Sequence, residues 1–92
     1  MQYQFEKIGD TENWNYPASL NSLGIAYKSL GEYQRAIDFY QQSLDIKTQI
    51  GDRSGQASCL IGLGNAYNYL GEYQRAINFY QQSLDIKTQI GD

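Results

Sequence analysis

The chain is expected to be all-α, built of consecutive helix hairpins, and three observations predict this. The segment Leu30-Gly-Glu-Tyr-Gln-Arg-Ala-Ile37 returns as Leu70-Gly-Glu-Tyr-Gln-Arg-Ala-Ile77, a period of 40 residues. Such self-similarity has to be recognised before any local pattern is interpreted. Within each period, apolar residues recur at steps of three and four, with no strand-like alternation. A single glycine then divides one apolar stripe from the next.

Laid on 57–92, residues 17–52 agree at 27 of 36 positions. Gly51-Asp52 recurs as Gly91-Asp92, and Ile8-Gly9-Asp10 is a third echo. The chain therefore reads as a partial upstream unit over 1–16, one unit over 17–52 and a second over 53–92. Its ends fall in register with its own period, as a slice of a longer array would.

The elements follow in order. Pro17 suits a first helical turn, where its missing N–H costs nothing, and marks the start of the first helix. Leu20, Leu23, Gly24, Tyr27 and Leu30 then form one apolar face. Gly31 is placed to close it in the left-handed conformation that glycine adopts without strain. The second helix carries Tyr33, Ala36, Ile37, Tyr40, Leu44 and Ile50 and closes at Gly51. Glu32 at its start and Lys47 in its last turn both favour the helix dipole. Asp52 or Ser54 is the expected cap of the third helix. That helix repeats the first stripe as Leu60, Leu63, Gly64 and Tyr67, and the fourth repeats the second as Tyr73, Ala76, Ile77, Tyr80 and Leu84. Gly24 and Ala36 sit within the stripes, where a larger side chain would push paired helices apart. The nine tyrosines are expected to fill the space beside such positions.

Composition removes several classes of function. There is no histidine, and Cys59 is the one cysteine, so zinc sites, disulfide frameworks and histidine-based catalysis lack their residues. A net charge of −3 with a pI near 4.7 argues against a nucleic-acid partner. No apolar run approaches the roughly 20 residues of a membrane span, and the opening residues lack a signal-peptide core. The expectation is a cytoplasmic, non-catalytic protein with no cofactor, no metal and no membrane partner.

Leu20, Leu23, Gly24, Tyr27, Gly31, Tyr33, Ala36 and Tyr40, followed 40 residues later by Leu60, Leu63, Gly64, Tyr67, Gly71, Tyr73, Ala76 and Tyr80, resemble the tetratricopeptide (TPR) repeat. The usual opening Trp is Leu here, and the usual closing Pro falls on Thr48 and Thr88. Without that Pro the second helix can continue through Gln49 and Ile50, which accounts for the longer period. This longer form is similar to the variant in spindle-orientation adaptors, kinesin light chains and cyanobacterial multi-repeat proteins. The resemblance implies a short right-handed α-solenoid whose first helices line a concave peptide-binding groove. It implies no reaction.

The two units differ at nine positions, and eight of these lie in the first helix and its end. On a helical wheel, Ala18, Asn21, Ile25, Lys28 and Ser29 cluster opposite the apolar stripe, and all five differ from Ser58, Ile61, Asn65, Asn68 and Tyr69. By similarity to peptide-binding members of the family, these positions face the groove. Simple drift of exposed positions, or an atypical end unit, would also produce differences. Drift is weakened because Gln34, Arg35, Gln41, Gln42, Asp45 and Gln49 recur unchanged. The candidate groove residues are thus Asn21, Ile25, Lys28, Ser29, Ile61, Asn65, Asn68 and Tyr69. Their chemistry is amide and aromatic with one cation, which suits a peptide backbone better than an acidic tail.

Other features have plainer readings. Gly62-Leu63-Gly64 begins a G-x-G-x-x-G pattern but ends on Tyr67 inside a helix, after no strand. Glu32, Arg35 and Asp38 are a solvated triplet at helical spacing. Cys59 is expected as a small half-buried residue, and Trp14 as a plug over the first hairpin or an exposed contact. Near-identical units leave an uncovered repeat face at the end of the chain. Besides a protein or peptide partner, a homo-oligomer formed through such faces is therefore expected, as a dimer, a helix exchange or a head-to-tail stack.

Overall fold

The computed structural model describes residues 20–91. It contains four helices among them and no strand: α1 over 20–29, α2 over Tyr33–Ile50, α3 over Arg53–Tyr69 and α4 over Tyr73–Gln89. The expectations placed on Trp14, Pro17 and Ala18 lie outside the described residues.

The helix ends follow local chemistry. Gly31, Gly51 and Gly71 all adopt φ between 75 and 83°, so each helix stops on a residue without a Cβ to clash. Asp52, not Ser54, caps α3, and its carboxylate accepts from the Gly55 backbone N–H at 2.9 Å. The same carboxylate pairs with Lys47 in the last turn of α2 at 3.3 Å, tying the end of one unit to the start of the next. Glu32 and Glu72 stand at the starts of α2 and α4 without capping by their side chains. They pair with Arg35 and Arg75 at 3.2 and 3.4 Å.

The Gly55 N–H and Lys47 hold the Asp52 carboxyl below its ordinary range. A depressed folded-state value means that Asp52 contributes its full stability above its unfolded value, near 3.8, and loses it as pH falls through the lower folded value. Asp52→Ala is expected to cost about 1 kcal/mol at neutral pH, the usual loss for an N-cap. Urea titrations should show the gap between the two proteins closing in strongly acidic buffer.

Packing runs from neighbour to neighbour: α2 lies on α3, and α3 on α4. One cluster joins Ala36, Ile37 and Tyr40 of α2 to Leu63 and Ala66 of α3; the other joins Ala57 and Leu60 to Ile86 of α4. Within each unit an aromatic pair stacks across the hairpin, Tyr27 on Phe39 at 5.4 Å and Tyr67 on Phe79 at 5.5 Å. Arg35 and Arg75 lie over the outer tyrosine faces. Between units, the Tyr33 and Tyr69 rings stack at 5.2 Å and are nearly parallel.

The stripes are not buried evenly. Leu20 is buried, as expected, but Leu23 is 41% exposed where its counterpart Leu63 is 0%. Leu30 and Ile50, assigned to the apolar faces, are also exposed, and so are Tyr73, Ile77 and Leu84 of α4. Leu30 and Ile50 lie at helix ends and are exposed in both units, as Leu70 and Ile90 are, whereas for Leu23 and the α4 side chains the cause is position in the stack. Leu63 is covered by α2, whereas no described helix covers Leu23 or the outer face of α4. Cys59 is fully buried rather than half-buried, and its thiol donates to the Ser43 hydroxyl at 3.3 Å. Burial pushes that thiol above its ordinary value.

Candidate functional site

The space between α1 and α3 is set by Tyr40. Its ring lies where a Cβ at Gly24 or Gly62 would stand, 2.9 and 2.6 Å from the nearest ring atoms. Both glycines are therefore space-makers, and the partial G-x-G-x-x-G pattern has a packing explanation. Tyr40 closes the floor between the two helices and leaves a cleft of about 260 Å³ above it.

Asn21, Ile25 and Lys28 of α1 line this cleft together with Ile61 and Asn65 of α3. Five of the eight residues singled out by the sequence thus converge on one concavity. They converge because positions four and three apart on each helix project from one face. Ser29, Asn68 and Tyr69 are exposed and do not line it. Tyr69 instead stacks on Tyr33 of α2.

The polar groups of the cleft have fixed senses. The Tyr80 hydroxyl donates to Asn65 Oδ1, so the Asn65 amide nitrogen is the group left to donate. Asn21 Oδ1 is buried and has no hydrogen-bond partner among the described residues. A buried acceptor left without a donor is costly, and this oxygen is closed off from solvent rather than presented to the cleft. Lys28 is the one charged residue among those lining the cleft. The Tyr80–Asn65 bond was not legible in the sequence. Its signal is the exchange of Ile25 for Asn65, which supplies an acceptor to the tyrosine of the second unit alone.

A second cleft of about 330 Å³ lies among α2, α3 and α4. Three of its polar residues are hydrogen-bonded: Arg53 donates to Gln56 and to Gln89, and Gln56 donates to the Lys47 carbonyl. None of the residues expected to face the groove lies there.

Among the described residues no helix is long and apolar enough to cross a membrane. No curated protein matches the chain. A family model described as tetratricopeptide repeat matches residues 15–89, spanning both units and all four described helices. With its hairpin order, its glycine-closed turns and its Tyr-against-Gly packing, the chain belongs to the tetratricopeptide repeat family.

Proposed function

We propose that the α1–α3 cleft binds an extended peptide or a helical segment of a partner protein. Repeats of this family mark protein-interaction modules in general, and such modules are generally non-catalytic scaffolds. One observation carries the finer reading: Asn21 and Lys28 of α1 and Asn65 of α3 line one cleft from its two sides, with the Asn65 amide nitrogen left to donate, beside exposed Ile25 and Ile61. A peptide backbone offers N–H and C=O groups in alternation and can satisfy both walls. The two isoleucines supply apolar contact, and Lys28 adds one cationic anchor. Together they describe a ligand that is largely uncharged, with at most one acidic group near Lys28.

The test uses peptides selected from a displayed random library on the intact chain. Asn21→Ala and Lys28→Ala are each expected to weaken the selected peptides by about tenfold, the effect of losing one hydrogen bond to a charged or desolvated group. Gln42→Ala, on an exposed face of α2, serves as the control and should bind unchanged. Equal binding by wild type, Asn21→Ala and Lys28→Ala would sink the groove reading.

A further inference from the structure

Tyr40 and Tyr80 occupy matching positions in the two units, but their hydroxyls end differently. Each ring packs against a glycine of the preceding helix in its own unit, Gly24 for Tyr40 and Gly64 for Tyr80. The residue after that glycine decides where the hydroxyl goes. In the second unit it is Asn65, whose Oδ1 accepts from the Tyr80 hydroxyl. In the first it is Ile25, which has no acceptor to offer.

The Tyr40 hydroxyl accordingly makes no hydrogen bond to any described residue. The residue is 2% exposed, and Gly62 on the other side of the ring keeps it from swinging towards another partner. Yet the oxygen is not sealed in. Among the described residues that are not exposed, Asn21 Oδ1 is the one side-chain polar atom both closed off and unpartnered. What little of Tyr40 reaches the surface opens into the α1–α3 cleft that it lines. Burial raises the phenol above its ordinary value of 10.0, so at neutral pH the group is a protonated donor.

Its neighbours have the same sense. The Asn65 oxygen is taken and its amide nitrogen is left to donate. Lys28 can only donate, and the Ser58 hydroxyl is turned back onto the Ser54 carbonyl. No carboxylate stands among the described residues that line the cleft, so these donors have no charged acceptor within it.

We propose that the Tyr40 hydroxyl is the hydrogen-bonding floor of this cleft and seats a carbonyl oxygen of the bound peptide. The assignment rests on reading the cleft as a peptide site. An apolar group laid over the floor leaves the hydroxyl desolvated and unpaired, so the site selects against ligands that bring only hydrocarbon to that point.

The test exchanges Tyr40→Phe, which keeps the ring and removes only the oxygen. Because the hydroxyl has no partner inside the chain, the urea midpoint should stay where it is. Tyr80→Phe, which breaks the bond to Asn65, should lower it. Library peptides selected on the intact chain, and shown to occupy the cleft by weaker binding to Lys28→Ala, should bind Tyr40→Phe about tenfold more weakly, as for one lost hydrogen bond. An alanine scan of the peptide then identifies the carbonyl. If it belongs to a side chain, one alanine exchange erases the difference between wild type and Tyr40→Phe. If it belongs to the main chain, the difference survives every exchange. Peptides that lose affinity for Lys28→Ala but bind Tyr40→Phe as tightly as wild type overturn the proposal and leave the peptide-binding reading standing. Peptides indifferent to both Asn21→Ala and Lys28→Ala remove that reading and this one with it. A Tyr40→Phe chain that unfolds as early as Tyr80→Phe also overturns it, because the hydroxyl would then have a partner within the protein.

Discussion

Tyr40→Ala is expected to cost about 3–5 kcal/mol of folding stability, the usual loss for a large aromatic side chain cut from a packed core. The side chain is 2% exposed and is held on two sides by glycines of different helices, Gly24 in its own unit and Gly62 in the next. Its removal opens a cavity that joins the α1–α3 cleft to the interior. It also takes away the contact between the units on that line. A chain of this length has a total stability of about 5–14 kcal/mol, so about a fifth or more of it depends on one ring. The chain contains its own control. Tyr80 has the same neighbours in sequence and packs on Gly64 in the same way, but no described helix covers its other side. Tyr80→Ala is expected to cost about 2 kcal/mol, because less area is exposed by the cut and water can enter the site from outside. Urea denaturation compares the same substitution at the two sites; because Tyr80→Ala also breaks the Tyr80–Asn65 hydrogen bond, the difference is a lower bound on the cover supplied by α3. Equal losses would mean that the inter-unit contact contributes no more than that one hydrogen bond.

Gly62→Ser should reverse the usual sign of a glycine replacement. At an exposed helix position, exchanging Gly for a residue with a side chain gains a few tenths to about 1 kcal/mol, because glycine is a poor helix former. At Gly62 the new Cβ would stand 2.6 Å from the Tyr40 ring. That ring is held on its far side by Gly24, so it has little room to give way. Overpacking of this kind costs about 1–3 kcal/mol, and a net loss of about 1–2 kcal/mol is expected. The reciprocal exchange, Ser22→Gly, puts the glycine where no described helix faces it. It should lose only the helix-propensity difference, about 0.5 kcal/mol. Thermal melts of the two single variants test both signs. A Gly62→Ser protein as stable as wild type would show that the units separate easily to admit a side chain.

The helices, their order and the glycine-closed ends of α1, α2 and α3 were readable from periodicity and from the glycines, because these are local properties of a repeating chain. Gly31, Gly51 and Gly71 were recognisable as helix stops since only φ matters there. The extent of burial was not readable. Ile37 and Ile77 share the seven preceding residues and differ almost ninefold in exposure, 6% against 51%. Their local sequence does not account for this, since the difference lies in which helix covers them in space. The candidate groove was legible in part. Asn21, Ile25, Lys28, Ile61 and Asn65 were found by comparing the units and lie along one cleft. Ser29, Asn68 and Tyr69 do not line it, and Tyr69 is taken up by its stack on Tyr33 of α2. The role of Gly62 was missed because its reason is a ring 22 residues earlier in the chain, and no spacing rule links the two.

The buried thiol of Cys59 gives the molecule a built-in clock for its own opening. It is the one sulfhydryl in the chain, it is 1% exposed, and it lies at the seam where α3 meets Ser43 of α2. An alkylating reagent can reach it only when that seam parts, and the raised thiol pKa suppresses reaction in the closed form further. The rate of labelling therefore counts separations of the two units, in the same manner that amide exchange counts local unfolding. Followed by mass spectrometry in dilute urea, it would distinguish a chain that frays one hairpin at a time from one that melts as a single body.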